Sequence, residues 1–256
     1  MDGADTIDLS REGPVAVITL NRPQVRNAID LAAAHRLAAA VDAVEADPAI
    51  RIAIITGAGE VAFSAGADLR ARARGEGRAV IAPHGFAGFV RRPRRKPFIA
   101  AVNGFAVGGG LEIALACELV VAAPHASFSL PEPMRGLIAG GDCLPLAFRR
   151  LPPALAWEVA LAGRRLMAEE ALAAGMVNRV APDVLGTARE MARAVMAGAP
   201  RAIEGTIALA RRLMAAAPPD YDALAERTQA TLMATADAAE AARAFAEKRA
   251  PVWADA

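Results

Sequence analysis

Aromatic residues make up only 4% of this 256-residue chain, histidine occurs three times and cysteine twice. No two of the histidines fall at ligand spacing, so a histidine-based metal centre is not expected, and His35, His84 and His125 all sit in contexts that suit surface or loop positions. Cys117 and Cys143 lie in apolar or glycine-rich surroundings, and two cysteines in so long a chain predict reduced thiols rather than a disulfide framework. An excess of one charge is also missing. With 29 basic against 28 acidic residues the net charge is +1, which argues against a partner held mainly by counterion release, such as duplex nucleic acid, and leaves room only for a local basic patch. No apolar run reaches the ~20 residues of a membrane span; the longest, Pro97 to Leu111, is interrupted by Asn103 and loaded with glycine. The opening residues MDGADTIDLSREG have neither a basic n-region nor an apolar h-region, so the expectation is a soluble chain without a secretory signal, in the cytoplasm.

What the chain does have is alanine, 66 residues of it, within a hydrophobic share of 55%. Alanine has the best helix propensity and buries little area, so a well-packed, helix-rich globule is predicted. The length allows one large domain, or one domain with a small appendage. Val15, Val17 and Thr19 alternate with Ala16, Ile18 and Leu20, which reads as a strand ended by Asn21-Arg22-Pro23. Asp30 then caps a helix in which Leu31, Leu37, Val41 and Val44 recur at helical spacing until Asp47-Pro48 closes it. Almost wholly apolar, IRIAIIT and FIAAVNG read as strands buried on both faces. LEIALACELVVAA reads as a helix following Gly108-Gly109-Gly110. The alternation predicts an α/β core with parallel pairing. After Pro131 the pattern is helical, over about Pro153 to Leu161, Ala168 to Ala174 and Thr187 to Met196, and three alanine-rich helical segments follow Pro200, split near Pro218-Pro219 and Thr235. The expected division is a core over 1–195 and a helical C-terminal subdomain over 196–256. The glycine- and arginine-rich stretch from Arg70 to Lys96 is too long for an ordinary connection, as functional or mobile loops are. Within it, Arg91 to Lys96 reads as a solvated loop rather than a phosphate site.

Four constellations could carry chemistry. Gly57-Ala58-Gly59-Glu60-Val61-Ala62 loosely matches a dinucleotide fingerprint, but FSAGADL follows instead of an amphipathic helix, so a plain turn is the better reading. Ser64 half resembles a nucleophile elbow, yet Ala62 stands where the first glycine belongs and no histidine is suited to serve it. Third come two glycine turns, Ser64-Ala65-Gly66-Ala67-Asp68 and Gly108-Gly109-Gly110. Either one alone reads as a tight turn needing positive φ; together they could leave backbone N–H groups aimed into a cleft to stabilise an oxyanion, the second helped by the dipole of the helix it opens. Fourth are Glu112 and Glu132. Glu112 could be a first-turn acid favoured by the helix dipole and Glu132 a solvated loop acid. In a shared apolar pocket the two would instead have their pKa values pushed apart, one giving a proton while the other takes one.

At these residues the sequence resembles the enoyl-CoA hydratase/isomerase (crotonase) family, almost end to end. VITLNRPQVRNAID is similar to the family's opening strand and turn, IRIAIITGAGEVAFSAGADL to its first oxyanion segment and AAVNGFAVGGGLEIALACELVVAA to its second. SFSLPEPMRGLIAG resembles the second-glutamate segment, LAGRRLMAEEALAAGMVNRV the helical region beyond, and AFAEKRAPVW the C-terminal signature. The resemblance implies an α/β fold, a spiral of ββα units, with a C-terminal helical oligomerisation subdomain giving a homotrimer or a dimer of trimers. It implies an acyl-CoA thioester as substrate, with no separate cofactor, because coenzyme A enters as part of the substrate; no metal, nucleic acid or membrane is implied. Carried over, the N–H groups of Ala67 and Gly109 would grip the thioester oxygen, while Glu112 would take a proton from water attacking C3 and Glu132 would protonate C2. Arg26, Ala28, Ser64, Ala65, Gly66, Asp68, Leu69, Arg70 and Gly108 would line the coenzyme A channel, and Phe245 and Lys248 resemble residues near the adenine and its phosphates.

Both glutamates are present, which favours hydratase chemistry over the isomerase, dehalogenase or hydrolase reactions of members that lack one. Within the family the look is nearest to the crotonobetainyl-CoA hydratase (carnitinyl-CoA dehydratase) branch, through IAIITGAGE, the GFAG before RRPRRKP, Arg150-Leu151-Pro152-Pro153 and FAEKRAPVW. Position 67 is alanine, as in general enoyl-CoA hydratases, where that branch tends to carry tryptophan. A quaternary ammonium acyl group would also gain from an aromatic cage, which so aromatic-poor a chain can scarcely furnish. Asp142 and Cys143 replace the usual glycine pair and Leu146 the usual arginine, which puts an extra carboxylate near the two glutamates. The expectation is therefore a 2-enoyl-CoA hydratase. The alternatives are the carnitinyl branch activity, a double-bond isomerase, or a catalytically weak acyl-CoA-binding protein.

Overall fold

The structure, a computed structural model, describes residues 6–135, 139–140, 142–215, 231, 234–247, 249, 251–252 and 254. The chain opens with β1 (Ile7–Glu12) and β2 (Val15–Leu20), an antiparallel pair in register from Ile7 opposite Leu20 to Glu12 opposite Val15. Asp30 caps α1 (Leu31–Ala46) by accepting the Ala33 N–H at 2.7 Å, as the sequence predicts. The body of the fold then repeats one unit, in which a strand for a large sheet is followed by a short strand for a small sheet and a helix. The first is β3 (Ile52–Gly57), β4 (Ala62–Ser64) and α2 (Leu69–Ala73). After a two-stranded hairpin, β5 (Val80–Ile81) with β6 (Gly85–Phe86), comes β7 (Phe98–Val102), β8 (Phe105–Val107) and α3 (Gly109–Ala116). The third is β9 (Leu119–Ala122), β10 (Ser127–Ser129) and α4 (Cys143–Arg150).

There follow α5 (Pro153–Ala162), β11 (Leu166–Met167), α6 (Ala168–Ala173), β12 (Arg179–Val180), α7 (Val184–Met196), α8 (Pro200–Ala215) and α9 (Ala236–Glu247). The large sheet has the order β1-β2-β3-β7-β9-β12 and is parallel from β2 onward; the small sheet runs β11-β10-β8-β4. Every residue of β3 and β7 is buried, which is why neither strand alternates in sequence: helix α7 and the small sheet cover the two faces. No helix among the described residues is long and apolar enough to cross a membrane.

Two expectations need correction. LEIALACELVVAA is not one helix. The helix stops at Ala116, Cys117 turns extended at φ −76° and ψ 152°, and the β-branched Val120 and Val121 enter the slot between β7 and β12 as β9. An apolar run carries no period by which to separate a buried helix from a buried strand. Nor are Arg91 to Lys96 a solvated loop, since Arg94 and Lys96 are buried. The Lys96 ammonium donates to the carbonyls of Val44, in the last turn of α1, and Asp47, its C-cap, both at 2.6 Å. The Arg94 guanidinium lies 4.0 Å from the centre of the Phe89 ring and 4.9 Å from that of Phe98, and donates to the Phe89 and Ala116 carbonyls at 2.7 and 2.6 Å. Burial pulls its pKa down to about 10, leaving it charged at neutral pH. Arg94→Met keeps the stem and deletes the head, removing the cation from the two rings and the Arg94 donor from the Ala116 carbonyl, so it should cost about 3 kcal/mol of stability in urea denaturation. A loss below about 1 kcal/mol would mean that the rings pack as well without the cation.

Candidate active site

The site begins at a turn whose backbone is left-handed at Arg26 (φ 58°) and Asn27 (φ 54°). Asn27 is buried and all of its amide is used: Nδ2 donates to the carbonyls of Ala58 and Ala62, and Oδ1 accepts the Arg22 N–H. The first glycine segment is bound to this turn residue by residue. The Ala65 N–H donates to the Arg26 carbonyl, and the buried Ser64 hydroxyl donates to the Asn27 carbonyl at 2.8 Å while accepting the Gly66 N–H at 3.1 Å. Ile29 takes both neighbours of Ala67, donating to the Gly66 carbonyl and accepting the Asp68 N–H. The Ala67 N–H belongs to the same trans peptide as the Gly66 carbonyl and so faces away from Ile29, on a residue that lines the adjoining cavity. Asp68 caps α2 through the N–H groups of Arg70 and Ala71. Burial opposes its charge, but the Ala71 N–H, the Arg22 guanidinium and the Arg70 N–H outweigh that and hold its carboxyl below the ordinary range.

The second turn lies directly against the first. A Cβ on Gly66 would meet the Val107 carbonyl at 2.6 Å and the Gly109 nitrogen at 2.8 Å, and one on Gly110 would meet the Ser64 carbonyl at 2.1 Å. Only glycine permits this approach, and it brings the start of α3 beside Ala67. Gly109 is the first residue of α3, where helix N–H groups have no intrahelical acceptor and the dipole is positive. Among the described residues neither the Ala67 nor the Gly109 N–H meets an acceptor.

Glu112 stands one turn along α3, only 3% exposed. Its Oε1 accepts the Asp142 N–H at 2.7 Å and its Oε2 the Cys143 thiol at 3.4 Å. Burial is the largest influence on it and, against those two donors, pushes its pKa up to about 7. The Cys143 thiol is itself pushed far above its usual range by burial and by the neighbouring carboxyl groups, so it stays protonated and can donate. Glu132 begins the 3-10 turn Glu132–Arg135 and sets its Oε1 against Gly108, 2.5 Å from where a Cβ would be. The cavity enclosed by these elements has a volume of about 370 Å³, and its wall includes Ala67, Gly109, Glu112 and Glu132 together.

Of the other residues singled out in the sequence, Ala65, Asp68, Leu69 and Gly108 also reach the cavity wall, whereas Arg26, Ala28, Ser64, Gly66 and Arg70 do not. Ser64 and Gly66 shape the first turn from behind, and Arg26 contributes a carbonyl to it. Lys248 lies outside the described residues, and of Phe245 only its place in α9 is described. The structure adds Phe86 and Arg91 to the wall. The Phe86 ring packs on Gly109, where a Cβ would come within 2.4 Å of it, and Arg91 pairs with Asp142 across the glutamate segment. Nothing in the stretch 70–96 distinguishes these two from their neighbours as sequence; only the folding of the β5–β6 hairpin over α3 selects them.

The fold and cavity define a class of protein: a ββα spiral in which two residues with backbone donors and two with carboxyl groups line one cavity. Comparison with known proteins agrees with that class. The family model for enoyl-CoA hydratase/isomerase matches residues 10–256. A carnitinyl-CoA dehydratase of Salmonella arizonae is 41% identical over 98% of both chains. Among solved structures, an enoyl-CoA hydratase from Mycobacterium marinum superposes with a TM-score of 0.92 at 39% identity, covering 98% of this chain and 99% of that one. A carnitinyl-CoA hydratase from Mycobacterium avium gives 0.79 at 40% identity, covering 97% and 98%. The chain belongs to the enoyl-CoA hydratase/isomerase family.

Proposed function

We propose that this family member is a 2-enoyl-CoA hydratase, adding water reversibly and syn across the C2–C3 double bond of an acyl-CoA thioester. The observation that carries the reading is that one cavity brings together two carboxyl groups and two N–H groups that find no acceptor among the described residues. The thioester oxygen accepts from Ala67 and Gly109, and as charge moves onto it each donor contributes about 3 kcal/mol to the transition state. Glu112, with a pKa near the working pH, takes one proton from water as its oxygen bonds to C3. Glu132 delivers its carboxyl proton to C2, and the proton taken up by Glu112 returns to Glu132 before the next turnover, so one water is added and both carboxyl groups are restored. In this reading the coenzyme A portion passes the first turn, where Asp68, Leu69 and Ala65 line the cavity. Assembly as trimers, or as pairs of trimers, belongs to the same proposal.

Loss of the 2-enoyl chromophore on adding crotonyl-CoA is the expected result. No turnover of any enoyl-CoA thioester would reject the reading. A second reading, as a carnitinyl-CoA dehydratase, is favoured by the relative of that name. Against it, Phe86 is the one aromatic side chain among the described residues of the wall, too little for a cage around a trimethylammonium group. The ratio of kcat/KM for crotonyl-CoA to that for crotonobetainyl-CoA decides between them, and the first reading expects a value above one.

A further inference from the structure

Glu112 is held by groups that come from two different parts of the chain. From the start of α4, Asp142 gives its N–H to Oε1 and Cys143 its thiol to Oε2. From beyond the β5–β6 hairpin, Arg91 clasps the Asp142 side chain with two parallel N–H···O bonds, Nη2 to Oδ1 at 3.1 Å and Nε to Oδ2. The hairpin directs that arginine. The Arg91 N–H donates to the His84 carbonyl, and its stem covers Gly85, where a Cβ would meet Arg91 Cγ at 3.2 Å. Arg91 thereby places a cation beside a carboxylate that is itself attached to the backbone holding Glu112. Among the described residues, the titratable and charged groups around Glu112 are Asp142 and Cys143 from the start of α4, Arg91 from the hairpin side and Glu132 on the same cavity wall.

We propose that Arg91 and Cys143 are positioning residues for Glu112: Arg91, bound to Asp142, balances the charge that Asp142 sets beside Glu112, and the Cys143 thiol is one of the two donors to its carboxyl group. The inference rests on the hydratase reading for its kinetic consequence, though not for its geometry. Asp142 alone would disfavour an ionised Glu112, and Arg91 offsets it. Deleting the two partners should therefore act in opposite directions, which loss of a purely structural tie would not do. Arg91→Met leaves the Asp142 charge uncompensated and should move the acidic limb of the kcat/KM profile upward. Asp142→Asn keeps the backbone N–H, leaves the cation, and should move the limb downward.

Each displacement should be about half a pH unit, roughly threefold in kcat/KM at about pH 6, because the pair is partly exposed and screened; about 1 M salt should shrink both. Cys143→Ala should raise the limb and lower kcat with KM nearly unchanged, and Cys143→Ser, which restores a donor, should recover most of the loss. The same variants carry a second readout that needs no turnover, the carboxyl titration of Glu112 by carbon-13 NMR, assigned by its absence in Glu112→Gln. Opposed shifts there without turnover support the positioning roles and reject the hydratase reading. Turnover with shifts in the same direction, with no shifts, or with no rescue by serine overturns the positioning roles and leaves the hydratase reading standing.

Discussion

Glu112→Gln should lower kcat for enoyl-CoA hydration by about 10²- to 10⁴-fold and, above neutral pH, make the folded chain more stable than its parent. The kinetic loss follows because an amide cannot take the proton from the attacking water. The gain in stability follows from burial. Glu112 is pushed from its ordinary 4.5 to about 7 in the folded chain, so folding favours its protonated form. That contribution is fully present below about pH 4.5 and is lost as the pH rises through about 7, where the folded chain must hold a buried carboxylate. A displacement of this size corresponds to about 3 kcal/mol. Glutamine is never charged, so the variant escapes the cost. Urea denaturation of both proteins should show stabilities that coincide at about pH 4 and separate by up to about 3 kcal/mol at about pH 8, with the variant ahead. A separation that does not vary with pH would contradict the burial of an ionisable Glu112, and unaltered turnover would remove it from the chemistry.

Gly66→Ala should be nearly as damaging to turnover, although residue 66 does not reach the cavity. At φ +79° an alanine is strained by about 1 kcal/mol, and its Cβ would press on the Val107 carbonyl and the Gly109 nitrogen. Both obstacles are backbone, so relief requires the two turns to separate, and with them the Ala67 and Gly109 N–H groups. We expect a loss of about 10²- to 10³-fold in kcat, the effect of misplacing one oxyanion donor, with about 2 to 4 kcal/mol of stability from strain and overpacking together. Gly175→Ala isolates the first part, since Gly175 has φ +77° but open space around its missing Cβ. It should cost about 1 kcal/mol and leave hydration as it was. Equal behaviour of the two variants would show that close approach of the turns is not what makes Gly66 necessary.

Much of this arrangement is legible in the chain itself. The strand at Val15–Leu20, the Asp30 cap and the helices at Pro153–Ala162 and Ala168–Ala173 follow from alternation, capping and helical spacing. Strands of three residues, such as Ala62–Ser64 and Phe105–Val107, are too short to show a period, and Leu119–Ala122 hides in an apolar run. Arg94 and Lys96 mislead for a different reason. A run of basic residues has the composition of a solvated loop, and only rings and carbonyls brought from elsewhere in the chain make two of its members interior residues.

The low aromatic content, the balanced charge, the paired glycine turns and the two glutamates are properties of the sequence alone. They determine which backbone conformations are affordable and which chemistry is within reach, because turn geometry and charge are set within a few residues. The tertiary structure decided the rest. Ala67, on the cavity wall, turns its N–H away from Ile29 because Ile29, far earlier in the chain, takes up the groups on either side of it. Arg91 bears on Glu112 through Asp142, 51 residues away. Contacts of that span depend on how layers pack, and no local propensity encodes them.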